Sequence, residues 1–168
     1  MAIAFNADEI FEVAERIEIN GNRFYTIASE RASHAPTRVM LLELAGMEER
    51  HLQTFRSMRA QLTSAERKPT AFDPEGDAAL YLKALADERV FDIANPSRQV
   101  SGQEDLRAVL TTAIGFEKDS IAFYVGMMEL VPPELGKLRI AEIIKEEMRH
   151  VTILSRHLAG LQLQPMRA

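Results

Sequence analysis

A chain of 168 residues is long enough for one domain that buries most of the surface its unfolded form exposes. Hydrophobic residues make up 46% and charged residues 27%, with a net charge of -5, and the 20 Lys and Arg are scattered among 25 acidic residues. This describes a globular protein with an acidic surface and no basic stripe to meet nucleic acid. The absence of cysteine excludes disulfides, thiolate metal sites, iron-sulfur clusters and thiol nucleophiles, so any metal must be held by oxygen and nitrogen. Asp8, Glu9, Glu12, Glu15 and Glu18 exclude a secretory signal from the first twenty residues, and no uncharged run approaches the roughly 18 residues of a membrane span. The expectation is a cytoplasmic protein with no membrane partner.

Asn6 followed by Glu9 has the pattern of a capping box. Behind it, Phe11, Ala14, Glu18, Gly21, Tyr25 and Ala28 alternate spacings of three and four, which keeps them on one stripe of a helix running roughly from 7 to 32. His34 falls in the turn that follows, where it is expected to be solvated, and Pro36 suits the first turn of a second helix. That helix carries Leu41, Leu44, Glu48, His51, Phe55, Met58 and Leu62 at the same spacing. The short turn makes the pair an antiparallel hairpin over about 7–63.

Residues 64–100 are loop-like at both ends, with Thr63-Ser64, Asp73-Pro74-Glu75-Gly76 and Asn95-Pro96-Ser97 as punctuation. Asp73 as N-cap and Pro74 at the first helical position predict a short helix through 78–85. The segment therefore reads as a crossover rather than a domain boundary. Ser101 and Glu104 repeat the capping-box pattern and open the second hairpin, about 101–162. Its first stripe is Leu110, Ala113, Glu117, Ser120, Tyr124, Met127 and Val131, interrupted by Pro132-Pro133. Its second is Ile140, Ile143, Glu147, His150, Leu154, His157 and Leu161.

The two hairpins are copies. Adding 99 to each number, with no gap, carries Ala14 to Ala113, Glu18 to Glu117, Phe24-Tyr25 to Phe123-Tyr124, Glu48 to Glu147 and Arg50-His51 to Arg149-His150. Packed about a pseudo-twofold axis they form an all-α, antiparallel four-helix bundle whose four Glu and two His meet at one level. Residues three apart on a helix project toward one point, so each Glu-x-x-His offers a carboxylate and an imidazole together, while the other two helices each add one Glu. This is the ferritin-like constellation of a two-metal carboxylate site. A lone Glu-x-x-His in a Glu-rich helix is usually a solvated coincidence. Here both copies lie on apolar stripes, each follows a stripe Glu by 30 residues, and together they use two of only four His.

Charge points the same way. Buried, ionised and unpaired, each carboxylate would cost several kcal/mol, and no Lys or Arg shares these stripes. Four carboxylates with two neutral imidazoles total -4, which two divalent cations neutralise. The predicted ligands are Glu18, Glu48, His51, Glu117, Glu147 and His150. Off the stripe, Glu49 and Glu146 are turned about 100° away and are expected to take no part. Tyr25 and Tyr124 are candidates to support the ligands through their hydroxyls, His157 reads as a core or half-exposed end position, and the eight Met are core filler.

The pattern Glu18-Ile-Asn-Gly21-Asn-Arg-Phe24-Tyr25, the motifs Glu48-Glu-Arg-His51 and Glu147-Met-Arg-His150, and the crossover from Tyr81 to Phe91 together resemble the rubrerythrin-like branch of the ferritin-like superfamily over nearly the whole chain. The resemblance implies two iron ions as cofactors, with manganese or zinc as alternatives. It also implies reduction of hydrogen peroxide or dioxygen by the diferrous pair, and a redox enzyme, unlike a storage cage, is expected to work as a homodimer. Full-length rubrerythrins add a cysteine-ligated rubredoxin-like domain, which a chain without cysteine cannot form, so electrons would come from a separate donor protein. Typical members also place a further Glu one turn after the third-helix ligand, where this chain has Ser120, which bears on peroxide specificity. Two other roles fit the same ligands: iron storage in a ferritin-type cage, and a sensor or interaction module with a structural metal.

Overall fold

The computed structural model describes residues 7–64, 67, 77, 80–82, 106–131, 134 and 136–162. Four long helices account for nearly all of them: α1 (Ala7–Arg31), α2 (Ala35–Ala60), α3 (Leu106–Leu130) and α4 (Lys137–Gln162). Each helix packs chiefly on its hairpin partner, α1 on α2 and α3 on α4, and the hairpins meet through α1 against α3 and α2 against α4. Among the described residues no helix is long and apolar enough to cross a membrane.

The predicted stripes are the buried faces. Every member of the α2 and α3 stripes is buried, including Leu62 and Val131 just beyond the helix ends; Gly21 on α1 and His157 and Leu161 on α4 are half-buried. His34 precedes α2 with extended backbone (φ -88°, ψ 117°), and Pro36 occupies the first turn, where its missing N–H costs no helical bond. The imidazole of His34 is exposed and pairs with the Thr37 hydroxyl at 3.1 Å. Gly136, at φ 102°, turns the chain into α4 and presents its carbonyl to the amides of Arg139 and Ile140. The capping residues Asn6, Ser101 and Glu104, the Asp73-Pro74 start and Pro132-Pro133 lie outside the described residues; Asp77 and Leu80–Leu82 of the crossover are helical.

The core has two apolar layers. Phe11, Phe55, Met58, Phe123, Tyr124, Met127, Ile140 and Ile143 belong to one. Phe24, Tyr25, Leu41, Leu44, Leu110, Ala113 and Leu154 belong to the other. Along every helix the Glu and His positions fall between the residues given to one layer and those given to the other, so they form a polar level closed above and below. The α1 and α2 ends are also tied by Arg59, which forks onto both carboxylate oxygens of Asp8 (2.8 and 3.0 Å). Bonds from Arg59 hold the Asp8 carboxyl below its usual range, outweighing its desolvation.

Phe55 touches the aromatic rings on both sides of the bundle, with centroids 6.5 Å from Phe11 and 5.0 Å from Tyr124, and is fully buried. Phe55→Ala should therefore destabilise the fold by about 3–5 kcal/mol, measured by urea unfolding. A loss below about 1 kcal/mol would mean that this layer repacks freely.

Candidate metal centre

Glu18 is supplied by α1, Glu48 and His51 by α2, Glu117 by α3, and Glu147 and His150 by α4. The structure brings all six predicted residues together, each no more than 4% exposed. Their ligand atoms form two overlapping groups of four, each with its atoms within 4.8 Å of one another: Glu18, Glu48, His51, Glu147, and Glu48, Glu117, Glu147, His150. Glu48 and Glu147 belong to both. The helical spacing left open which carboxylates the two groups would have in common; the packing makes them Glu48 and Glu147, the Glu of each Glu-x-x-His motif, with Glu18 in one group and Glu117 in the other.

The imidazoles point Nδ1 into these groups. His51 Nδ1 lies 3.1 Å from Glu147 Oε1, 3.5 Å from Glu18 Oε2 and 3.9 Å from Glu48 Oε2. His150 Nδ1 lies 2.8 Å from Glu147 Oε2, 3.2 Å from Glu117 Oε1 and 3.3 Å from Glu48 Oε1. The two rings lie nearly parallel, with centroids 5.8 Å apart. Despite this proximity, Glu18 Oε2, Glu48 Oε1, both oxygens of Glu147 and His51 Nδ1 have no hydrogen-bond partner, although they are fully buried. Buried polar atoms are almost always satisfied. Atoms that converge on common points without hydrogen-bonding one another are placed as cation ligands would be, and a set of carboxylate oxygens and imidazole nitrogens suits a divalent first-row metal.

Two tyrosines complete the level symmetrically. The Tyr25 hydroxyl donates to Glu117 Oε1 across the bundle, and the repeat-related Tyr124 hydroxyl donates to Glu18 Oε1. Each fixes one oxygen of an end carboxylate. Burial, and then the charge of the carboxylate each one faces, raises both phenols well above their usual range, so they remain donors.

Glu146, set aside by the helical spacing, is instead in contact with the site: its Oε2 is 2.9 Å from His51 Nε2. The sequence signal was present only as a charged residue one position before a stripe glutamate; which helix it would reach depends on how α4 packs against α2. Gly21, equally unremarkable as a stripe member, is where α1 lets Glu48 through, since a Cβ there would stand 3.1 Å from Glu48 Cγ and Cδ. Ser120, its repeat mate, is buried and donates to the Phe116 carbonyl of its own helix.

Without metal, protons supply the missing positive charge. Burial disfavours charge on His51, but the carboxylates of Glu147 and Glu18 close to it push it up to about 11; His150, likewise opposed by burial, is pushed up to about 12 by Glu117, Glu147 and Glu48. Burial and the charge of Glu48 carry Glu18 well above the carboxylate range. Burial, reinforced by Glu147 and Glu117, takes Glu48 to about 7, and burial takes Glu117 to about 8 against the opposing bond from His150. Glu147 alone goes down, to about 2, because its contacts with His150 and His51 outweigh its desolvation.

These shifts set the pH dependence of the metal-free fold. Carboxyls raised in the folded state hold protons that the unfolded chain has lost above about pH 4.5, so their contribution declines as pH rises toward 7–8. The histidines contribute fully below 6.5 and lose that contribution as pH rises toward 11–12. Glu147 contributes above about 4.5 and is lost as pH falls toward 2. The metal-free protein should therefore be most stable near pH 5 and lose at least ~2 kcal/mol by pH 9. Urea unfolding in excess chelator measures this, and a rise in stability over that interval would contradict the charge distribution.

No protein-family model matches the sequence, and no curated protein does. Among solved structures, the chain is similar to a Thermotoga maritima protein provisionally described as a ferritin-like diiron-carboxylate protein, whose crystal structure was determined at 2.30 Å resolution. The two share 25% identity, the match covers 93% of this chain and 96% of that one, and the TM-score is 0.68. The fold is that of a ferritin-like helical bundle, with the buried Glu and His cluster inside it.

Proposed function

We propose that the six residues hold two iron ions and that the chain is a non-haem di-iron oxidoreductase of the rubrerythrin-like kind, reducing hydrogen peroxide or dioxygen. The observation that carries this reading is the set of buried, unsatisfied oxygen and nitrogen atoms converging in two groups with two carboxylates in common. The ferritin-like diiron-carboxylate description of the Thermotoga maritima neighbour supports it. Electrons would come from a separate donor protein, and we place the chain in the cytoplasm as a homodimer.

When bound, a ferrous pair supplies two electrons, enough with two protons to convert one hydrogen peroxide to two waters. The protein's own contribution is positional. Glu48 and Glu147, common to both groups, would be shared between the two ions. Tyr124 occupies Glu18 Oε1 and leaves Oε2 toward His51, while Tyr25 holds Glu117 by Oε1, the oxygen that also faces His150. The apolar layers on either side exclude water and lower the local dielectric, so charge changes at the site are met by carboxylates rather than by solvent. Metal must displace the protons that the empty cluster holds. His51, His150 and Glu117 hold protons at pH 7 and the upward shift of Glu18 acts in the same direction, so apparent affinity rises with pH.

Anaerobic titration with ferrous iron should saturate at about two ions per chain. Glu48→Ala or Glu147→Ala should abolish the pair because each removes a carboxylate common to both groups, whereas Glu49→Ala, exposed on α2, should leave it intact. Saturation at one ion, or equal losses from all three variants, would refute the shared-carboxylate arrangement. Metal analysis and optical spectra before and after peroxide separate the remaining roles: no redox change would indicate a structural metal, and a hollow multi-subunit particle would indicate storage.

Ser120 stands where the rubrerythrin pattern has a carboxylate, and its repeat mate is Gly21, so neither hairpin supplies a fifth carboxylate from this position. Oxidation of the diferrous protein by dioxygen and by peroxide should then proceed at rates within about two orders of magnitude, a barrier difference of roughly 3 kcal/mol or less. Ser120→Glu should shift the ratio toward peroxide, since an added carboxylate favours the more positive oxidised centre. Stopped-flow measurement of both proteins decides it. A natural preference for peroxide of many thousand-fold would remove Ser120 as the discriminating position.

A further inference from the structure

The duplication makes the six ligands symmetric, but it does not extend to what stands behind the histidines. His51 turns Nδ1 inward and its other nitrogen, Nε2, lies 2.9 Å from Glu146 Oε2 on α4. The repeat relation places Met47 of α2 at the position corresponding to Glu146, and a thioether is at best a weak acceptor. Accordingly His150, fully buried with Nδ1 inward, leaves Nε2 without any hydrogen-bond partner. One imidazole therefore has a carboxylate behind its outer nitrogen to orient it, and its symmetry mate has none.

With Nδ1 used as the ligand atom, Nε2 must carry the ring hydrogen, so the His51 contact is an N–H donated to the Glu146 carboxylate. Such a partner fixes the tautomer and the ring plane, strengthens the nitrogen that faces the metal, and typically changes affinity by about 10- to 100-fold. Glu146 has 35% of its side chain exposed, so it can take this place without adding another dry carboxylate to the cluster.

Resting on the reading of the six residues as a two-metal centre, we infer that Glu146 is a positioning residue that acts through His51 alone and makes the His51 half of the centre the tighter metal position. The half built on His150 fills second. The two-ion stoichiometry is unaffected, but the ions are held unequally by a scaffold whose ligands are equal.

Anaerobic titration with cobalt(II), read by visible absorption and by competition with a chelating indicator, should show two binding steps separated by about 10- to 100-fold. Glu146→Ala should weaken the first step by that factor and leave the second unchanged, so that the steps merge. Glu146→Gln, whose amide oxygen still accepts the hydrogen bond, should restore most of the separation. Met47→Glu, which gives α2 the carboxylate that α4 has, should strengthen the second step. A readout independent of metal is the imidazole 15N–1H spectrum of the metal-free protein. There the His51 Nε2–H should exchange with water faster in Glu146→Ala, while the His150 signals stay in place. Two equal steps in the natural protein, or equal weakening of both steps by Glu146→Ala, would overturn the inference. If Glu48→Ala and Glu147→Ala still abolished binding in that event, the two-metal reading would survive. Failure of the natural protein to bind cobalt at all would overturn both.

Discussion

Four carboxylates and two imidazoles are confined to a level of the bundle that is closed on both sides by aromatic and aliphatic side chains, and the rest of the molecule answers to that confinement. Burial works against every charge in the level. Without a metal, Glu147 keeps its charge because two imidazolium rings lie against it, and Glu18 and Glu117 are driven toward their neutral forms. The same geometry that makes the metal-free cluster hold protons suits it to cations, because a divalent ion would remove the mutual repulsion that protonation only partly relieves. Fold stability and ligand affinity are thus coupled through one electrostatic problem.

The pseudo-twofold arrangement is an economical answer to it. A single hairpin offers two carboxylates and one imidazole, too few for two ions, and it cannot cover its own polar stripe. Packing the second copy against the first doubles the donor set and seals it in one step. It also lets side chains of one half orient the carboxylates of the other: Tyr25 of the first hairpin supports Glu117 of the second, and Tyr124 of the second supports Glu18 of the first. These cross-hairpin bonds should make the two halves form together, since neither end carboxylate is fixed until the opposing hairpin has docked.

Much of this was legible in the sequence because a helix repeats its faces every 3.6 residues, and an acidic residue on an otherwise apolar stripe stands out against that period. Glu18, Glu48, Glu117 and Glu147, with His51 and His150, were found this way, and the 99-residue offset placed them at one level. What the period could not supply were relations between helices. It could not say that Glu48 and Glu147, rather than Glu18 and Glu117, are common to both groups, because that depends on interaxial distance and rotation. Nor could it find Glu146. A residue about 100° off the stripe is read as solvated, yet at an α2–α4 contact such a flanking position reaches the neighbouring helix, and its long side chain lies against His51. The role of Gly21 was hidden for a related reason: its value lies in the Cβ it lacks beside Glu48, and an absent group has no periodicity.

Glu146, opposite Met47 in the repeat, is a difference between the two halves that leaves the six shared positions unchanged. Substituting a ligand would strand buried charge from the remaining five, at a cost of several kcal/mol. Substituting a flanking position such as 47 or 146 changes only the partner of an imidazole N–H, at the partly exposed margin of the level. Asymmetry is therefore accessible at the margin and costly at the centre. Because Glu48 and Glu147 are common to both groups, a difference at one end imidazole would act on its own group first and on the other only through these two carboxylates. Behind the two imidazoles the hairpins differ by one carboxylate against one thioether, a small change at a place that bears on one half of the cluster and not the other.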